Sequence, residues 1–181
     1  MRAFFGVPFP DLPQVAALAG ELAASGADLK VVPANQVHLT LKFLGEVPEP
    51  FAQRFLALLH KETLPAPFDV TVQGVGAFPS WGRFSVLWAG IEDPGKGLAT
   101  FAAAAERVWV ALGGDPERRP FRAHLTLARR RSDARARDAL DVLERHRGRT
   151  FGTVRVDHAN LYRSTLTAEG AIHDVVGEVR L

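Results

Sequence analysis

Alternation of apolar and polar positions marks this chain more clearly than helical periodicity does. Its plainest instances are Val37-His38-Leu39-Thr40-Leu41-Lys42-Phe43-Leu44 and Phe121-Arg122-Ala123-His124-Leu125-Thr126-Leu127-Ala128. Side-chain direction in a strand repeats every two residues, so in each run His and Thr share one face and the two leucines the other. These runs predict strands over residues 35–45 and 121–130. Further strands are predicted over residues 2–7, 29–32, 68–75, 84–91, 150–157, 159–165 and 171–181. Apolar residues at helical spacing predict helices over 11–26, 48–63, 94–112 and 132–146, with Asp11 and Ser132 as candidate N-caps. Glycine and proline crowd residues 74–82, which read as a loop.

The tetrapeptide His-Leu-Thr-Leu thus occurs twice, nearly half a chain apart, and each copy is followed by a turn and a helix. Strands do not alternate strictly with helices, which argues against a doubly wound parallel sheet. The pattern predicts one α+β unit over residues 1–181, with two pseudo-equivalent lobes and no linker between them.

With 181 residues and 47% apolar content the chain can bury a substantial core. No apolar run reaches the roughly 18 residues of a membrane span. The first residues lack the apolar stretch and small-residue cleavage site of a secretory signal. Cysteine is absent, which excludes thiol nucleophiles, disulfides and Cys-based metal sites. A cytoplasmic monomer without an obligate protein partner is the expectation. Net charge is only +2, but its placement is uneven. Arg118 and Arg119 precede the second motif, and Arg129, Arg130 and Arg131 follow it. Basic clusters beside a site suit a phosphate-bearing ligand. Over 132–149 the arginines interleave with Asp133, Asp138, Asp141 and Glu144, as on a solvated helix face.

Two histidines on matching strands suit displacement at phosphorus. One imidazole can take a proton from the attacking group while the other gives one to the leaving oxygen, both near neutral pH. The hydroxyls of Thr40 and Thr126 can donate to the non-bridging oxygens. This scheme calls for no metal and no cofactor. The sequence has no Walker-type loop, no HExxH and no carboxylates at metal-ligand spacing.

These blocks resemble the two-histidine phosphoesterase superfamily, whose signature is a pair of His-x-Thr-x motifs. Within it the chain is most similar to the RNA 2',3'-cyclic phosphodiesterase branch, historically called 2'-5' RNA ligase. The resemblance extends over residues 35–47, 74–79, 119–129 and 161–170 and the opening Arg2-Ala3-Phe4-Phe5. It implies a bilobal α+β fold in which two antiparallel sheets form a concave cleft, with helices outside and the motif strands side by side at its centre. It implies opening of a 2',3'-cyclic phosphate at an RNA 3' end, or on a small cyclic nucleotide, to leave a 2'-phosphate. Joining or cleaving 2'-5' linkages would use the same chemistry with a ribose hydroxyl in place of water. A binding module without turnover is the reading from another class, and the presence of all four signature residues disfavours it.

Carried over, His38 and His124 become the acid/base pair, with His124 activating water and His38 protonating the departing 3' oxygen, while Thr40 and Thr126 hold the phosphoryl oxygens. Arg129 matches the arginine after the family's second motif, whereas strict alternation from His124 would aim Arg130 at the cavity; a bulge would exchange the two. Phe4 or Phe5 is a candidate to stack on a terminal base. Tyr162, Arg163 and Ser164 are candidates to line the cleft, and Trp81 to cover it. Trp88 and Trp109 read as core. The chain departs from the family in having Ala123 where proline is usual and His173 where an aromatic is usual.

Overall fold

In the computed structural model, which describes residues 1–167 and 171–181, both motif strands begin at the motif histidine itself. The chain runs through β1 (Arg2–Pro8), α1 (Pro13–Ala24), β2 (Leu29–Val31), β3 (His38–Glu46), α2 (Glu49–Leu59), β4 (Phe68–Phe78) and β5 (Val86–Glu92). It continues through α3 (Gly97–Ala111), β6 (His124–Arg130), α4 (Ala136–Glu144), β7 (Thr150–Val156), β8 (His158–Leu166) and β9 (Ala171–Arg180). The predicted C-terminal block of 161–170 extends past Thr167 into three positions outside the described residues.

Two antiparallel sheets result, ordered β3-β1-β8-β9 and β2-β6-β5-β4-β7. Each draws strands from both ends of the chain, so the lobes are interleaved rather than successive. Helices α2 and α3 pack on the four-stranded sheet, and α1 and α4 on the five-stranded one. The motif strands β3 and β6 approach each other as members of different sheets. They are not hydrogen-bonded neighbours: β3 pairs with β1, and β6 with β2 and β5.

The core lies between each sheet and its helices. Phe5 is fully buried, meeting Phe55 of α2 and Phe101 of α3 edge-on at 5.8 and 5.3 Å. Aromatic pairs of this kind contribute about 0.5–1.5 kcal/mol each beyond the area they bury. Gly6 lets β1 run close behind the first motif, since a Cβ there would stand 2.5 Å from the Leu39 carbonyl oxygen.

Several predicted boundaries shift. The loop expected over 74–82 is largely strand, because β4 continues to Phe78. A break in its pairing between Val72 and Val75 absorbs Gly74, whose φ of +71° a side chain would disfavour. Asp11 does not cap α1, which starts after Leu12 with Pro13 at its first position and no side-chain cap. Ser132 accepts from Ala134 N–H in a turn before α4 instead of capping it. At the start of α3, whose N-cap position is Lys96, the carboxylate of Asp93 three residues upstream accepts from Gly97 and Leu98 N–H.

Candidate active site

The two motif strands carry the same irregularity. In the pairing of β3 with β1, Gly6 faces Thr40 and Phe5 faces Lys42, so Leu41 is passed over. In the pairing of β6 with β5, Trp88 faces Thr126 and Leu87 faces Ala128, so Leu127 is passed over. Each second leucine is thus a bulge residue, and both remain buried. The residues after the bulges, Lys42 and Ala128, are buried on the core side, where Lys42 meets Glu106 of α3. The next residues, Phe43 and Arg129, return to the face of the motif His and Thr.

That face opens on a cleft of about 830 Å³ whose lining includes His38, Thr40, His124 and Thr126. It brings the four motif side chains together from two sheets. Arg129 lines the same cleft. Arg130 points to the other side, where its guanidinium lies over Phe84 and pairs with Asp133. The bulge at Leu127 therefore decides the alternative that strict alternation left open.

Both imidazoles are held in one way. His38 Nδ1 lies 2.8 Å from the carbonyl oxygen of Gln36, and His124 Nδ1 lies 2.7 Å from that of Arg122. A carbonyl only accepts, so Nδ1 carries the proton in each neutral ring and Nε2 keeps its lone pair. Each acceptor sits two residues upstream of its histidine, which is possible because the strand starts at the histidine and the preceding chain turns away. Either Nε2 can accept a proton from water or, once protonated, give one up.

The surroundings of both rings favour the neutral form. Burial pulls the His38 pKa down to about 4, with nearby His173, Arg129 and His124 adding to the depression against the opposing Gln36 hydrogen bond. His124 is lowered as well, chiefly by burial and then by Arg129. Arg129 thus stands close enough for its charge to be felt by both histidines.

Around His38 the rings are stacked. Phe4 stacks against both His38 and Tyr162, with centroids 4.5 and 4.8 Å away, and those two rings are themselves 6.1 Å apart. His173 meets Phe4 and His38 edge-on at 5.0 and 5.2 Å. Phe4 borders the cleft but is only 3% exposed, which leaves no ring face on which a base can lie. Phe5 points away into the core. Neither is the stacking platform that the sequence suggested, because β1 is an inner strand whose two faces are both covered. Tyr162 is buried beside Phe4, with its hydroxyl accepting from Asn160 Nδ2. Ser164 and His173 line the cleft, whereas Arg163 pairs with Glu49 outside it. Trp81 lies under the Arg147 guanidinium, away from the cleft-lining residues.

Trp88, expected in the core, is instead half-buried 6.2 Å from His124, and Phe78, which sequence reasoning did not single out, stands 5.0 Å from the same ring. Sequence reasoning also passed over the cleft residues Arg2, Lys30 and Phe43, whereas Arg131, from the basic cluster after the second motif, lines the cleft as that cluster suggested. Lys30 reaches the site only because β2 pairs with β6, a contact between distant segments that no local pattern announces. Among the described residues no group of three or more His, Cys, Asp or Glu side chains is placed to hold a metal ion. No described helix is long and apolar enough to cross a membrane.

A family model described as the 2'-5' RNA ligase superfamily matches residues 8–167. An RNA 2',3'-cyclic phosphodiesterase of Aeropyrum pernix is 34% identical, over 92% of this chain and 94% of its own length. One of the same name from Archaeoglobus fulgidus is 32% identical over 96% of each chain. Among solved structures, TT0787 of Thermus thermophilus superposes with a TM-score of 0.80 at 32% identity, covering 100% of this chain and 98% of that one. Escherichia coli LigT complexed with 3'-AMP gives 0.74 at 25% identity, covering 99% and 97%. With paired motifs on matching strands and a match along nearly its full length, the chain belongs to the 2'-5' RNA ligase superfamily.

Proposed function

We propose that this protein hydrolyses 2',3'-cyclic phosphates at RNA 3' ends to 2'-phosphates, with His38 and His124 as its acid/base pair. The observation that carries this reading is their matched placement: two imidazoles, each with Nδ1–H committed to an upstream carbonyl, offer Nε2 to one cleft beside one arginine. The names of the relatives, RNA 2',3'-cyclic phosphodiesterase, point to the same reaction. The 3'-AMP complex of the E. coli protein fits a cleft that accepts the end of an RNA chain.

In this mechanism His124 Nε2 accepts a proton as water attacks phosphorus. The bond from phosphorus to the 3' oxygen breaks, and Nε2–H of protonated His38 delivers a proton to that oxygen. The phosphate stays on the 2' oxygen. Thr40, Thr126 and Arg129 face the non-bridging oxygens, where charge builds in the transition state. The reaction needs one neutral and one protonated ring. Burial favours the neutral form of both, and a bound phosphodiester anion, as an opposite charge nearby, raises both pKa values and brings the proton in. Nothing in this scheme draws on a second subunit or an oxidising compartment, so a cytoplasmic monomer formed by residues 1–181 as one bilobal domain is the form proposed to act.

The test is hydrolysis of a short RNA ending in a 2',3'-cyclic phosphate, in EDTA, with the 2'- and 3'-phosphate products resolved. A 2'-phosphate product is expected. A 3'-phosphate product would mean the 2' oxygen leaves and would overturn the assignment of the leaving group; no turnover would overturn the activity.

A further inference from the structure

The walls of the cleft differ in a way that one terminal nucleotide does not require. On the side of the five-stranded sheet, Lys30 lies directly opposite Arg129 in the β2–β6 pairing, so the two share a face, and Arg131 lines the cleft beyond them. On the side of the four-stranded sheet stands Phe43, paired with Phe4 and 49% exposed. The Arg2 guanidinium lies 4.9 Å from the Phe43 ring centroid, and both residues line the cleft. Leu166 and Ile172, 69% and 50% exposed, line it as well. Half-exposed large apolar side chains therefore gather with Arg2 along one wall, and Lys30, Arg129 and Arg131 along the other.

Charge balance extends the point. No described carboxylate lines this cleft. A cyclic phosphate end brings one negative charge, and Arg129 already stands beside the histidines to meet it. Lys30, Arg131 and Arg2 are three more cations in the same space without an acidic partner in its lining. The volume of about 830 Å³ lies toward the top of the roughly 300–1,000 Å³ typical of small-ligand sites. A cationic wall that follows a backbone, facing an aromatic on which a base can lie, is the arrangement that binds single-stranded nucleic acid.

Phe43 owes its place to the bulge at Leu41, as Arg129 owes its place to the bulge at Leu127. The two strands thus present different chemistry at one equivalent position: a cation for phosphate from β6 and a ring for a base from β3. With Phe4 enclosed, Phe43 is the exposed aromatic of the four-stranded sheet that lines the cleft.

We propose that the cleft mouth binds the nucleotide preceding the RNA end, with its base on Phe43 beside Arg2 and its phosphodiester near Lys30 and Arg131. This rests on the hydrolase reading and deepens it: the substrate is an RNA chain, and a cyclic mononucleotide fills only part of the site.

The experiment compares kcat/KM for a dinucleotide ending in a 2',3'-cyclic phosphate with that for the matching cyclic mononucleotide. The wild type prefers the dinucleotide. Phe43→Ala lowers the dinucleotide value about tenfold, as loss of one stacked base does, and leaves the mononucleotide within about twofold. Lys30→Ala and Arg131→Ala weaken the salt dependence of the dinucleotide reaction. An equal fall on both substrates, or an unchanged dinucleotide value, would overturn the proposal. Unchanged kinetics with altered sedimentation of Phe43→Ala would mark the wall as a protein contact instead. If the wild type turns over neither substrate, the hydrolase reading fails by itself. Binding of a dinucleotide 2'-phosphate then decides the subsite, with loss of affinity in Phe43→Ala supporting it and unchanged affinity overturning it.

Discussion

The imidazole of His38 lies almost flat on the ring of Phe4, with centroids 4.5 Å apart and planes inclined by 25°. Phe4 is itself buried, so its work is to keep water from one side of the imidazole. Burial is the largest cause of the low His38 pKa of about 4. Phe4→Leu keeps an apolar side chain in β1 but uncovers part of that face. The His38 pKa, followed by NMR of the ring proton, should rise toward its ordinary 6.5, and the acidic limb of kcat/KM should rise with it. A variant whose His38 titrates where the wild type does would show that Phe4 contributes nothing to the depression.

The same burial couples folding to pH. In the unfolded chain His38 takes up a proton near its ordinary 6.5, and in the folded chain only near 4. Between those values the unfolded state binds more protons, so stability rises with pH from about 4 to about 6.5 and is insensitive to His38 outside that window. The full effect is on the order of 3 kcal/mol. His124 and His173, both also lowered by burial, act with the same sign. Urea midpoints should increase across this range in the wild type and increase less in His38→Gln. Parallel curves would place the titrating groups elsewhere.

Arg129 and Arg130 are adjacent, identical in type and opposite in role. Arg129 faces the cleft, whereas Arg130 packs over Phe84 and pairs with Asp133, a carboxylate that is 89% exposed. Exposed pairs contribute about 0–1 kcal/mol and a cation over a ring about 0.5–1 kcal/mol. Arg130→Ala should therefore cost about 1 kcal/mol of stability and little activity. Arg129→Ala should lower kcat/KM by roughly a hundredfold, as loss of a donor to developing charge does, with little change in the urea midpoint. Similar losses from the two variants would remove the distinction that the bulge draws.

How far the sequence could be read is clear from this pair. The two faces of each motif strand followed from alternation, and the repeated tetrapeptide brought His38, Thr40, His124 and Thr126 into one hypothesis before any coordinates. Alternation fails at Leu41 and Leu127, because a bulge costs no residue type that betrays it: leucine is buried on either side of the irregularity. Arg129 and Phe43 could not be placed by pattern for that reason. Phe4 and Phe5 also read alike in sequence, yet one is stacked under His38 and the other packed between helices. Which face of β1 meets which layer depends on β3 and β8 flanking it, and those pairings join residues far apart in the chain. Lys30 became a cleft residue through the same kind of distant pairing.

The division of labour between the histidines is open to a direct test. The two rings are held alike, so geometry does not separate acid from base. The proposed mechanism makes His38 the acid and His124 the base. Before substrate binds, the depression at His38 favours the reverse, because it leaves that ring neutral with its lone pair available and without the proton an acid must give. The bound phosphodiester changes that balance, raising the ring on which its charge acts more strongly. Leaving-group chemistry separates the roles whatever the resting protonation. A 3' oxygen needs a proton as it departs, whereas a nitrophenolate leaves without one. Hydrolysis of a nitrophenyl phosphodiester should therefore survive loss of the acid and still fail on loss of the base. With His38 as acid, His38→Ala should retain activity on the nitrophenyl substrate within about tenfold of wild type while losing at least a hundredfold on the RNA end. His124→Ala should lose both. The opposite result would assign His38 to water and His124 to the leaving oxygen, and equal losses on both substrates in both variants would show that neither ring acts as the general acid.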